Sequence, residues 1–292
     1  LKITKYVDTT VTEIYHYTYT EAQDGSWWTW TLNHSDSNPA NVLRTESVKW
    51  TILDLQNPDT CDWEKEFTVA QDGGTHTLVT ETYSPYSWGR SVTQRDVDCD
   101  GNAQTTADIL TTEYEYVATS QVGEQLKYVI RPDNSWTWYD YDGEGRVTKI
   151  VRPWKDEAFA NPPTEANCYV VEHAYASHDQ ADDGSEFPLH PRTTTAKANG
   201  SIVAKTYYVI YRASYDQYNT NSLHKIVERC TDPAASYGAA SSLVTTTVYT
   251  TADDDDVLVV AYPDGQTATY EYGYGDYGTP FNPLAPALPS SS

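Results

Sequence analysis

Apolar and polar residues alternate with a period of two along almost the whole chain. From Ile3 to Tyr19 the odd positions carry Ile3, Val7, Val11, Tyr15, Tyr17 and Tyr19, while the even positions are mostly Thr, with Asp8 and His16 among them. A period of two sends successive side chains to opposite faces of a strand, one face buried and one wet. The alternation returns in SWWTWTL, FTVAQDGGTHTLVTETY, TTEYEYVAT, SWTWYDYD, KTYYVIYRASY, LVTTTVYTT and TATYEYGYG. All are rich in the β-branched and aromatic residues that fit a pleated surface. Between these runs stand Asp24-Gly25, Asp72-Gly73-Gly74, Asp100-Gly101-Asn102, Asp142-Gly143, Asp183-Gly184, Asn199-Gly200 and Asp264-Gly265, the dipeptides that close hairpins. No amphipathic helix of useful length is legible, although Lys155 to Ala160 allows one helical turn before Asn161-Pro162-Pro163 ends it. The pattern predicts an all-β chain of antiparallel β-hairpins stacked into a continuous sheet or solenoid.

An internal repeat supports the stacking. RPDNSWTWYDYDGEGRVTKIVRP, from Arg131 to Pro153, aligns without gaps on YPDGQTATYEYGYGDYGTP, from Tyr262 to Pro280, so that Pro132, Asp133, Tyr139 and Tyr141 fall on Pro263, Asp264, Tyr270 and Tyr272. Weaker copies are QDGSWWTW, WGRSVTQ and LHKIVERCTDP. A drifting period of roughly 20 to 25 residues suits one hairpin per unit.

The segment YVIRPDNSWTWYDYDGEGRVTKIVRP resembles the YD repeat of the Rhs family, carried by Tyr139, Tyr141, Asp142, Gly145, Arg146, Val147 and Thr148. The unit at Tyr270 and Tyr272 matches in its first half, after which Gly273 replaces the Asp. In bacterial Rhs proteins, insecticidal toxin complexes and teneurins such repeats coil into a strip of β-sheet that can close as a shell. The resemblance therefore implies a scaffold and not a catalyst. The Asp-Pro-x-Gly core of the self-cleaving Rhs protease is absent, since Asp232-Pro233 lacks the Gly. In the motif itself, Tyr at i and i+2 offers rings for cross-strand ladders, and Arg146 is within reach of an Asp of the adjacent unit. The expected organisation is a degenerate β-rich part over 1–110, a YD-repeat-like hairpin array over 111–278, and a Pro/Ser-rich tail over 279–292.

Charge excludes some partners. Forty-two acidic against 19 basic side chains give a formal net charge of −23 over 292 residues, which disfavours nucleic acid and anionic membrane surfaces. No run of about 18 apolar residues offers a membrane-spanning helix. The absence of Met and the start at Leu1 lead to the expectation of a processed chain or a piece of a longer one. Acidity together with Tyr/Thr/Asn richness points to a secreted or cell-surface protein. The widely spaced Cys61, Cys99, Cys168 and Cys230 then suit two disulfides, Cys61–Cys99 with Cys168–Cys230 being the simplest connectivity, or four buried thiols.

Candidate sites are few. Asp96, Asp98, Asp100 and Gly101, with Asp108 beyond, spell the D-x-D-x-D-G of a calcium loop, but Ala107 stands where the bidentate Glu belongs, so a polar hairpin turn is the alternative. Calcium is the one cofactor suggested. Asp253 to Asp256 read as a solvated hairpin tip. Trp27, Trp28, Trp30, Trp136, Trp138 and Trp154 offer sugar-stacking rings, Trp136 and Trp138 foremost, or else pack between repeats. No hydrolase elbow, phosphate loop, dinucleotide fingerprint or metalloprotease helix occurs. Asn33 and Asn199 head sequons. A stack of hairpins has open edges that invite pairing. The expected function is thus a non-enzymatic extracellular scaffold that self-associates or continues into a larger polypeptide. Ile3 to Thr20 would serve as an arm, and a glycan-binding adhesion module is the alternative.

Overall fold

The computed structural model describes residues 2–7, 10–71, 74–99, 108–118, 122–182, 184, 186–215, 221–250 and 256–270, with the side chains of 2–7, 10–12, 71, 74 and 75 excepted. The fold is all-β and antiparallel throughout. Two compact units divide the chain, Leu1–Tyr139 and Asp140–Ser292. The change expected at residue 110 falls inside the first unit, because hairpin pairing runs on through that region.

The first unit is a meander of β1 (Lys2–Val7), β2 (Thr10–Glu21), β3 (Trp27–Ser35), β4 (Val42–Ile52), β5 (Trp63–Gln71), β6 (Gly74–Tyr86), β7 (Gly89–Asp98), β8 (Ile109–Tyr116), β9 (Leu126–Ile130) and the start of β10 (Trp136–Tyr141). Each strand pairs antiparallel with the next. The register converts the period of two into rows. Tyr19, Trp30, Val48, Phe67, Val79 and Val97 lie opposite one another across β2 to β7. One residue along, Thr20, Thr29, Lys49, Glu66, Thr80, Asp96 and Thr111 form a polar row on the other face. Lys49 Nζ sits 3.4 Å from Glu66 Oε2, and Thr111 Oγ1 donates to Asp96 Oδ1 at 2.6 Å.

Aromatic pairs stabilise the first face. Tyr15 stacks on His34 at 4.7 Å, Trp28 on Trp50 at 6.0 Å, and Tyr83 leans on Trp50 at 5.0 Å. Trp63 meets Trp28 edge-on at 5.5 Å, while the Arg90 guanidinium lies 4.2 Å over the Trp63 ring. Such pairs contribute about 0.5–1.5 kcal/mol each beyond burial, which is how a chain poor in Leu and Ile holds a sheet together.

The strand expected over Ile3 to Thr20 is two strands. Lys2 pairs with His16 and Val7 with Thr10, so β1 folds back on β2 as a hairpin. The turn went unread because neither Gly nor Pro marks it. An arm extended toward a neighbour is thereby corrected to a closed hairpin.

The second unit continues as β11 (Val147–Pro153), β12 (Cys168–Ala174), β13 (Thr193–Ala198), β14 (Ser201–Ala213), β15 (Ser222–Arg229), β16 (Leu243–Tyr249), β17 (Val257–Ala261) and β18 (Thr267–Thr269). Neighbours again pair antiparallel in sequence order. Its buried apolar side chains are chiefly valines, Val151, Val170, Val209, Val248 and Val259. The helical turn expected at Lys155 to Ala160 is not helical. Among the described residues the helical element is instead a three-residue 3-10 turn, Glu165–Asn167. No described helix is long and apolar enough to cross a membrane, a statement that concerns helices alone.

All four cysteines are free, so the expected bridges do not form. The meander explains why. Cys61 closes the β4–β5 connection, whereas Cys99 follows β7 at the opposite end of the strands, about 30 Å away at about 3.3 Å per residue. Cys168 and Cys230 lie at the same end, but β13 and β14 intervene, so three strand spacings of about 4.8 Å alone keep them at least about 14 Å apart. Disulfides need Cα atoms within about 7 Å. Cys168 is fully buried, its Sγ 3.3 Å from the Thr164 carbonyl oxygen, and burial pushes its thiol pKa up. The unfolded chain is expected to titrate four thiols without reductant, and a melting temperature that falls on reduction would overturn this arrangement.

Candidate functional site

The repeat motif builds one kind of turn. At Asp142 to Arg146, the Asp142 N–H donates to the Arg146 carbonyl at 3.0 Å and the Gly145 N–H to the Asp142 carbonyl at 3.0 Å. Gly145 has φ +82°, a left-handed position where a Cβ is strained. The Asp142 carboxylate accepts the Glu144 and Arg146 N–H groups at 3.0 Å each and Arg146 Nε at 2.7 Å. Burial pushes that carboxyl up, but the bonds from Arg146 and Glu144 outweigh it and hold it below the usual range. The same frame recurs at Arg131 to Ser135, with Asn134 at φ +62°, and at Tyr262 to Gln266, with Gly265 at φ +83°. There the Asp133 and Asp264 carboxylates accept the Ser135 and Gln266 N–H groups at 2.9 and 3.0 Å.

Arg146 does not reach an Asp of another unit. It folds back on Asp142, the carboxylate nearest in sequence, and on Glu144 at 2.9 Å. Its guanidinium lies 4.4 Å over the Tyr175 ring and donates to the Pro188 carbonyl at 3.2 Å. The motif arginine thereby fastens its turn to the connection that leaves β12. Tyr139 and Tyr141 are half-buried, Tyr270 is exposed, and Tyr272 lies outside the described residues.

A buried polar cluster in the second unit was not anticipated from sequence. The chain between β12 and β13 and the chain between β15 and β16 leave opposite ends of the strands and meet over Tyr207 and Glu228. Asp182 and Arg192, 3% and 1% exposed, form an ion pair. Asp182 also accepts the Gly184 N–H at 2.8 Å and the Ile210 N–H of β14 at 3.0 Å, and Arg192 Nη1 donates to the His190 carbonyl at 2.6 Å. The Tyr208 N–H bonds the Arg192 carbonyl at 2.9 Å, so this connection stands in for a strand where β13 has ended. From the other side, both Glu228 oxygens accept the Gly238 N–H at 2.9–3.0 Å, and Tyr207 donates its hydroxyl proton to the Ala235 carbonyl at 3.0 Å. Tyr237 donates to Asp179 Oδ2 at 3.2 Å, and burial, with the Asp179 carboxylate, pushes its phenol up to about 12. The sequence signal was the density of Asp, His and Arg between His173 and Arg192, in a connection too long for a hairpin.

Other expected sites disperse. Trp136, the leading sugar-stacking candidate, is 1% exposed and belongs to the core, and Trp138 is half-buried with its indole N–H shielded. The exposed tryptophans among the described residues are Trp30, 55% exposed, and Trp154, and Tyr19, the cross-strand partner of Trp30, is 46% exposed. Beside Trp30 a shallow groove of about 200 Å³ is lined by Val48, Phe67, Val79 and the linked charges Lys65, Glu81 and Arg95. Asp96 and Asp98 are strand residues of β7, and Asp108 stands just before β8. Asp100 lies outside the described residues, as do Asp253, Asp254 and Asp255 of the acidic run and the tail over 279–292. Among the described residues no three His, Cys, Asp or Glu side chains converge as metal ligands. Asn33 is half-buried and accepts the Thr45 hydroxyl at 2.7 Å, whereas Asn199 is exposed at the β13–β14 turn.

No family model matches the chain, and no curated protein matches it. Among solved structures, a porin-like protein from Bacteroides uniformis aligns over 84% of this chain and 93% of its own at 14% identity, with a TM-score of 0.28. A superposition that loose carries no inference about function.

Proposed function

We propose that the chain is a non-enzymatic structural scaffold of the YD-repeat kind, working at the cell surface or after secretion, and associating with copies of itself or with the rest of a longer polypeptide. The observation that supports this reading is the recurrence of one Asp-braced turn at Arg131–Ser135, Asp142–Arg146 and Tyr262–Gln266, each in a meander where every strand pairs with its successor in sequence. Electron microscopy of the purified chain tests the reading. Filaments, closed shells or ordered clusters are expected, and a monodisperse monomer at every ionic strength would sink self-association.

The exposed Tyr19–Trp30 pair keeps a glycan-binding reading as the second choice, relocated from Trp136 and Trp138. Binding on a glycan array that Trp30→Ala abolishes would favour it over the scaffold.

A further inference from the structure

His178 lies between the two connections that meet over β14 and β15. Its ring centroid is 4.3 Å from that of Tyr237 and 5.0 Å from that of Tyr207, tilted by 60° to each. Both ring nitrogens are shielded from solvent and have no hydrogen-bond partner among the described residues. A neutral imidazole tolerates such a site at modest cost. An imidazolium, with two N–H donors and a charge to solvate, does not.

We propose that His178 is an acid-sensitive pin: while its imidazole is neutral, the connections carrying His178 and Tyr237 stay closed over β14 and β15, and its protonation releases them.

The charged groups facing the ring are Asp179 and Asp182 from its own connection, Arg192 at the end of that connection, and Glu228 from β15. Tyr237, its phenol pushed up to about 12, titrates only in alkali. Each carboxylate is already committed to closure. Asp179 accepts the Tyr237 hydroxyl and the Ala181 N–H, Asp182 holds Arg192 and the Ile210 N–H, and Glu228 holds the Gly238 N–H. A protonated His178 gains a counter-ion only by drawing one of them off a bond that closes the clasp.

The direction of the pH effect follows from burial, which pushes the imidazole pKa below its usual value against the pull of Asp182, Asp179 and Glu228, with Arg192 adding to the depression. The open form therefore binds the proton more readily. The stability of the closed form is fully present above the free imidazole pKa, about 6.5, and declines as the pH falls from there. Opening rises by up to about tenfold per pH unit, the limit for one proton.

Hydrogen exchange of the whole chain at about pH 7.5 and about pH 5.5, corrected for intrinsic rates, tests the pin across the range where an imidazole titrates. Protection around His178 and Tyr237 is expected to fall up to about tenfold in acid, with β12 and β17 unchanged. His178→Phe, which keeps a ring between the two tyrosines and cannot titrate, is expected to remove the difference. Equal protection at both pH values, or a pH effect retained in His178→Phe, overturns the proposal. Should that variant lose protection throughout β14 and β15, the NMR titration of His178 in the unaltered chain decides, and an imidazole pKa at or above the free value overturns it.

Discussion

Arg192→Ala is expected to destabilise the second unit by about 3–5 kcal/mol, the scale for removing one partner of a buried ion pair. Arg192 and Asp182 are 1% and 3% exposed, so the carboxylate left behind has no water to turn to. Loss of the Arg192 guanidinium also strips donors from the His190 and Phe187 carbonyls, which lets the connection lift from β14. The double variant Arg192→Met with Asp182→Asn is expected to be less damaged than Arg192→Ala alone. An Asn oxygen can still accept the Ile210 N–H, and no charge remains buried. Urea unfolding followed by hydrogen exchange in β14 and β15 separates the units, which need not melt together. A double variant as unstable as the single one would show that the ion pair matters through its shape and not its charge.

Strand identity and hairpin order were legible because each rests on local signals. The period of two in SWWTWTL and KTYYVIYRASY fixes face and element together, and Asp-Gly or Asn-Gly marks the turns at Gly25, Gly200 and Gly265, all at positive φ. The β1–β2 turn was missed for want of such a mark. The motif arginine was legible as a residue but not as a contact, since pattern cannot tell the Asp142 of its own turn from an Asp one hairpin away. Cysteine pairing failed for a related reason: spacing in sequence says nothing about which end of a meander a residue occupies. The cluster around Asp182 and Arg192 is least legible of all. It is assembled from two connections whose course over the sheet depends on tertiary packing, and connections carry no periodicity to read.

Trp136→Ala is expected to cost about 3–5 kcal/mol, as for other large-to-small changes at buried aromatic positions, while Trp30→Ala should stay within about 0.5 kcal/mol. The two tryptophans occupy comparable places in sequence, each in a run where Trp alternates with Thr and each following an Asp-bearing turn. Alternation alone gives them the same role. Exposure separates them, 1% for Trp136 against 55% for Trp30. Trp30 stands at the rim of a row that runs through Val48 and Phe67, with Tyr19 tilted against it at 4.8 Å and 49°, so its removal opens no cavity. Burial thus assigns Trp136 to stability and leaves Trp30 available for contact with something outside the chain. If Trp30→Ala lowers self-association while leaving the melting temperature in place, the aromatic row is an assembly face. Unchanged association together with lost glycan binding would assign the same ring to sugar recognition, and a large loss of stability in Trp30→Ala would contradict its placement at the surface.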